Sequence, residues 1–175
     1  MSARAHPTRR RVVWAALAAA LALGLLAAGS ARAQGGLPTR EVVIGGERFR
    51  LEVAADPEAM YRGLGGRRTI PRNGGMLFVH PAPRPLAMVM RDCPIPIDVA
   101  FLDAEGRILN VHTMPPEPPR RSDEDAIAYE ARLPSYASAG PAQYAIELAG
   151  GRFAELGVKP GDRIALGEPP PADSR

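Results

Sequence analysis

The chain has 175 residues, 22 of them basic and 19 acidic, a formal charge of +3, one lysine and one cysteine. Five of the arginines fall in residues 1–33, which hold no acid, so residues 34–175 carry 17 basic and 19 acidic side chains and a net charge of −2. That balance excludes the clustered basic surface from which nucleic-acid binding draws its affinity, and a single cysteine excludes an intramolecular disulfide.

In chain order, Arg4, Arg9, Arg10 and Arg11 precede an apolar run from Val12 to Ala28, and Ala31-Arg32-Ala33 places small residues where a signal peptidase cuts. This three-part pattern predicts a signal removed after Ala33, with no stable membrane anchor left and the protein delivered to the periplasm or secreted. Thr8-Arg9-Arg10-Arg11-Val12-Val13 approximates a twin-arginine signal without its Phe-Leu-Lys ending, so both export routes stay open. Residues 34–40 read as a flexible leader, 41–167 as one domain and 168–175 as a disordered tail.

Within the domain, Glu41 to Ile44 and Arg48 to Val53 flank Gly45-Gly46, a pair suited to the positive φ angles of a tight hairpin. Asp56-Pro57-Glu58 supplies an N-cap, a proline at the first helical position and an acid in the first turn of a short helix to about Leu64. Strands are predicted at Gly75–Val79 and Leu86–Arg91, joined through the Pro81–Pro85 cluster. Ile97–Asp103 and Arg107–Met114 form the clearest hairpin, turning through Asp103-Ala104-Glu105-Gly106-Arg107. Propagating that turn without interruption sets Leu102 opposite Ile108, Ala100 opposite Asn110 and Asp98 opposite His112. The proline-rich residues 115–142 read as a functional flap or a mobile surface loop. A strand at Gln143–Leu148, a helix around Arg152–Leu156 and a strand near Arg163–Leu166 close the domain. The expected fold is therefore mainly β with minor α: a single β-sandwich or partly closed β-barrel with two short helices.

Five ordered pieces carry a resemblance: Tyr61-Arg62-Gly63-Leu64, Gly75-Met76-Leu77-Phe78-Val79, Ile95 to Asp103, Gly140-Pro141-Ala142-Gln143-Tyr144, and Gly157 to Asp162. Together they resemble domain-of-unknown-function family 192 (DUF192) over about Val43 to Leu166. The resemblance implies a compact β-rich domain, often exported, and supplies no inherited active site. Where members commonly show Phe-Trp-Met-Lys-Asn-Thr, this chain reads Met88-Val89-Met90-Arg91-Asp92-Cys93, and His80 stands where an aromatic is usual.

No nucleophile elbow, zinc-protease, Cys-x-x-Cys, Walker or dinucleotide motif is present. Catalytic groups contributed by separate strands leave no local motif, so the pairs expected from strand register matter more here than any short pattern. Asp98, sharing a strand face with Ala100 and Leu102, is expected to be partly buried and in need of a partner. His112 opposite it would be oriented as a general base or ligand, and a structural pair to Arg62 or Arg91 is the competing reading. His80, Met88, Met90, Cys93, His112 and Met114 are a set of soft ligands that suits Cu(I). The spacing His80-x9-Met90-x21-His112-x-Met114 resembles, one residue short in its first gap, that of periplasmic copper chaperones with a cupredoxin-like fold. Methionine in a strand is, however, more often core filler. A lone Cys93 is more often buried and inert than used. A third candidate is a groove between Arg62 and the Tyr129–Tyr144 segment, where Arg132, Ser135, Tyr136 and Ser138 could meet a glycan or peptide of the envelope. Glu147, out of phase with Tyr144, Ile146 and Leu148, is expected on the solvent side of its strand. Three functions follow in order. The first is a non-enzymatic small-ligand-binding or accessory domain using Arg62, Asp98, His112 and Tyr136. The second is a Cu(I)-binding protein using His80, Met90, His112 and Met114, and the third is an envelope-polymer hydrolase using Asp98 and His112.

Overall fold

The computed structural model describes residues 36–167. The predicted export signal and the tail from 168 lie outside the described residues. β1 (Thr39–Ile44) and β2 (Glu47–Ala54) pair antiparallel across Gly45-Gly46. Both glycines have positive φ, 56° and 83°, as the tight turn requires. The Asp56 carboxylate accepts from Ala59 N at 2.9 Å and so caps α1 (Pro57–Arg62). The chain then returns as β3 (Gly74–Arg84), parallel to β2, which makes β2–α1–β3 a crossover unit. There follow β4 (Ala87–Met88), β5 (Ile97–Leu102), β6 (Ile108–Met114), α2 (Ala126–Arg132), β7 (Tyr136–Ala137), β8 (Ala142–Ala149) and α3 (Arg152–Glu155).

Six strands form one mixed sheet in the order β1-β2-β3-β8-β5-β6, and β4 pairs with β7 in a separate two-stranded ribbon. The large sheet is open rather than closed into a barrel. Strand alternation sends apolar side chains to both faces. On the front face Ile44, Phe49, Leu51, Leu77, Ala100, Leu102, Ile146 and Leu148 pack beneath Phe153 of α3 and the closing segment with Ile164 and Leu166. On the back face Met76, Phe78, Ile97, Val99, Phe101 and Ala145 are covered by Ala59 of α1 and by Leu64, Leu86, Met90 and Cys93. Burying each of the large side chains contributes roughly 1.5–3 kcal/mol. The central strand β5 is buried on both faces along its whole length.

The structure departs from the expected elements at five places. First, a bulge between Phe101 and Leu102 shifts the β5–β6 register: Leu102 still faces Ile108, but Phe101 faces Asn110, Val99 faces His112 and Asp98 faces Thr113. The extra residue is Leu109. It lets Ile108 and Val111 both serve the front core, turns Asn110 and His112 away from that apolar layer, and lays Leu109 against the back cluster. Second, the strand expected over Leu86–Arg91 contracts to β4, because this segment leaves the main sheet and pairs only with β7. Third, the proline-rich stretch holds α2, whose N-cap Asp125 accepts from Ala128 N at 2.8 Å, so the domain has three short helices rather than two. Fourth, the closing segment makes a single bridge, Arg107 to Arg163, instead of a strand. Fifth, β1 begins at Thr39, and Leu37 packs against the back cluster, so ordered structure reaches into the expected leader. Among the described residues no helix is long and apolar enough to cross a membrane.

Candidate functional site

Asp98 is 1% exposed and lies on the front face. Its Oδ1 accepts from Thr113 Oγ1 at 2.8 Å and Gly151 N at 2.9 Å, and its Oδ2 from Phe153 N at 3.0 Å. The carboxylate therefore anchors the first turn of α3 to the sheet, a structural task that consumes its acceptors. His112 projects from the back face, and the dyad expected from an uninterrupted register is not formed. The imidazole Nε2 lies 2.9 Å from Ala137 O, and the ring meets Tyr136 edge-on with 5.7 Å between centroids. Asn110 locks the same corner, donating to Ala137 O and accepting from Ala139 N. His112 and Tyr136 thus fasten β6 to β7.

The other residues of the expected groove are also engaged internally. Ser138 Oγ accepts from Leu86 N and donates to Gly140 O, and Arg132 pairs with Glu124 and with the Pro118 and Pro119 carbonyls. Of the soft residues, Met90 and Met114 are wholly buried in the back cluster, while His80 and Cys93 reach a pocket. Among the described residues no three His, Cys, Asp or Glu side chains gather closely enough to hold a metal ion.

That pocket, about 410 Å³, opens on the back face between α1, the end of β3 and the segment 85–93. Its walls are apolar at Met60, Leu64, Phe78, Leu86, Met88 and Val89. Local sequence builds each wall. The proline cluster ends β3 and throws the chain outward. Asp92 then reverses it with a left-handed φ of 53°, held by Tyr129, whose hydroxyl accepts from Asp92 N at 2.9 Å. Asp tolerates that conformation better than most residues. Gly63, φ 50°, ends α1, and a methyl group there would lie 3.4 Å from Phe78 Cζ and 3.7 Å from Glu147 Oε2.

Glu147 is the residue that sequence reading misplaced. It does point away from Ile146 and Leu148, but that side of β8 is covered, leaving the residue 6% exposed at the pocket. Among the described residues no group hydrogen-bonds to or ion-pairs with its carboxyl, and burial alone pushes its pKa up to about 7. Neighbouring Cys93 is a protonated thiol: burial first, then the Glu147 and Asp92 charges, push its pKa up to about 11. Its Sγ contacts Arg91 O at 3.3 Å, so it is a poor nucleophile and thiolate ligand. Burial, then Arg84, lower the His80 pKa, and Arg84 Nη2 sits 3.4 Å from His80 Nδ1. Donation by the guanidinium places the ring hydrogen of a neutral His80 on Nε2.

Three arginines line the pocket. Arg62 pairs with Glu58 at 2.6 Å, and Arg91 makes a two-pronged pair with Glu130 while donating to Tyr61 O. Arg84 is exposed and, among the described residues, has no carboxylate partner. Of the four expected binding residues, Arg62 alone lines this pocket. Met88, Cys93 and His80, singled out in the sequence as soft ligands, also line it, whereas Glu147 and Arg84 had no local motif. The one signal for Glu147 was a carboxylate inside an otherwise largely apolar strand.

The fold and site together define a two-faced open-sheet domain with a small-molecule-sized pocket floored by a buried carboxyl. The chain belongs to the DUF192 family, described as Uncharacterized ACR, whose model matches residues 40–166. Among solved structures it is similar to a protein of Sinorhizobium meliloti 1021 provisionally described as a transcription regulator. That match has 27% identity and a TM-score of 0.61, covering 75% of this chain and 96% of the other. It is also similar to a protein of unknown function from Novosphingobium aromaticivorans DSM 12444, with 26% identity and a TM-score of 0.61, covering 78% and 91%. No curated protein matches the chain.

Proposed function

We propose that this is an exported, non-enzymatic domain that binds a small organic molecule in the pocket floored by Glu147. The observation that carries the reading is the unpartnered buried carboxyl. A largely buried acidic group with no protein partner, its oxygens open only to the pocket, costs stability, and another molecule in the pocket would supply the partner. The pocket volume falls within the range of small-ligand sites, and its lining combines apolar side chains with several polar and charged ones. Export rests on the arginine-apolar-small-residue pattern of residues 4–33. The regulator description of one structural neighbour is not carried over, because residues 34–175 are net acidic.

Thermal denaturation of the full chain against a library of small metabolites tests this. A ligand of the pocket raises Tm by mass action, and the rise is lost in Met88→Trp, which fills the pocket from its rim. Absence of any shift, or a shift unchanged in Met88→Trp, would overturn the assignment.

A further inference from the structure

The pocket is electrically divided. At its floor the Glu147 carboxyl receives no hydrogen bond or cation from the described residues, and none of the three lining arginines acts on it. At its rim Arg84 carries a positive charge that no carboxylate of the described residues balances, whereas Arg62 is paired with Glu58 and Arg91 with Glu130. Phe78, Leu86, Met88, Leu64, Met60 and Val89 supply the apolar parts of the pocket walls. The two charges do not pair with each other, so both are open to the opposite charges of one guest.

From the unpartnered Glu147 carboxyl at the floor and the uncompensated Arg84 at the rim of a pocket with both apolar and charged walls, we infer that the ligand is a small zwitterion of amino-acid or short-peptide type. Its ammonium group meets Glu147, its carboxylate meets Arg84 and its side chain lies on the apolar wall. This inference rests on the binding role proposed above. The inner contact is a charge-assisted hydrogen bond in a site shielded from water, where an ammonium group returns to the carboxylate the partner that folding withheld. The outer contact is solvent-exposed and worth less, so it orients the guest more than it holds it. A ligand carrying only an anion leaves Glu147 unpartnered, and one carrying only an amine leaves Arg84 unused.

The experiment uses the full chain labelled with 13C-methyl methionine. Met60 and Met88 line the pocket, while Met76, Met90 and Met114 are buried in the back core and serve as internal controls. The probes are the protein L-amino acids and the dipeptide Leu-Leu, which separate free amino acids from peptides. The comparators are 4-methylpentanoate and isoamylamine, which are leucine without its amine and without its carboxylate.

The expected result is that a zwitterion shifts the Met60 and Met88 methyls and leaves the controls in place. Removing the amine is expected to weaken binding by about tenfold or more, and removing the carboxylate by less. Glu147→Gln should erase the preference for the amine, and Arg84→Gln the preference for the carboxylate. Equal binding of 4-methylpentanoate and leucine, or an amine preference that survives in Glu147→Gln, overturns the zwitterion. If only the single-charge comparators move Met60 and Met88, the pocket binds but the ligand class is wrong. If no probe moves them, the zwitterion is overturned here, and the metabolite library with Met88→Trp decides the binding role separately.

Discussion

Two buried carboxyl groups sit on adjacent central strands of the same sheet and meet opposite fates. Asp98 of β5 faces the front, and its oxygens take three hydrogen bonds, two of them from backbone groups at the start of α3. Glu147 of β8, beside Val99 in the register, faces the back and takes none from the described residues. Both are buried to a similar degree, 1% and 6% exposed. Burial alone therefore does not mark a functional acid. The distinction is satisfaction: a carboxylate whose acceptors are filled by backbone is part of the scaffold, and one that faces an open pocket with no protein partner is where the proposed ligand would bind.

The largest test of that contrast is Asp98→Ala. It strands the Thr113 hydroxyl and the amides of Gly151 and Phe153, and detaches α3 from the sheet. The expected loss is about 4 kcal/mol of unfolding free energy, given about 1–3 kcal/mol for each buried group left unpaired. Urea denaturation measures it, and a loss below about 1 kcal/mol would remove Asp98 from the scaffold.

Glu147→Gln should act in the opposite direction. The folded pKa lies above the ordinary value of 4.5, at about 7, so between these pH values the native state binds more protons than the unfolded chain. Stability then falls as pH rises through that window, is unpenalised below it and carries the full penalty above it. At pH 8 the amide is expected to be more stable than the wild type by on the order of 3 kcal/mol, with the two converging near pH 4. Parallel pH profiles for the two proteins would show that Glu147 has a partner after all.

Much of the scaffold was legible in the sequence because it depends on local chemistry. The Gly45-Gly46 hairpin, the Asp56-Pro57 helix start and the Asp103–Arg107 turn all form as expected, the last closed by Asp103 N donating to Arg107 O. The site was not legible: one inserted residue undoes the expected Asp98–His112 pairing, and the Glu147 pocket depends on what covers a strand. Ile108 and Val111 are three apart, a spacing that lets both face one core only across a bulge, yet uniform alternation hides it. The run of prolines hid α2, although Asp125 followed by Ala126-Ile127-Ala128-Tyr129-Glu130 is a capped sequence of mostly good helix formers. Glu147 looked solvent-facing from alternation alone. What covers it, the α1 turn and the 85–93 wall, reaches it from positions more than 50 residues away in sequence.

That wall supplies the smallest effect and the finest test of the two-carboxyl contrast. α2 holds the 85–93 segment from outside: Tyr129 grips the backbone of Asp92, and Glu130 takes both prongs of Arg91. The Arg91–Glu130 pair is partly exposed, 22% and 36%, so solvent and salt screen it and Glu130→Gln should cost less than about 1 kcal/mol of stability. Its effect on the pocket should be larger than that figure suggests, because Arg91 also donates to Tyr61 O and lies 4.0 Å over the Tyr61 ring, tying the wall to α1 on the other side of the opening. Releasing Glu130 also leaves the Arg91 charge unbalanced at the pocket, where it competes with Arg84 for the anionic end of a guest. The expected outcome is a nearly unchanged urea midpoint together with altered Met88 and Met60 methyl signals and a weaker preference for ligands set by Arg84. If stability and pocket signals change in step, the wall is simply another part of the core. If the pocket changes alone, the back face is a site held open by α2, while the front face, closed by Asp98, remains scaffold.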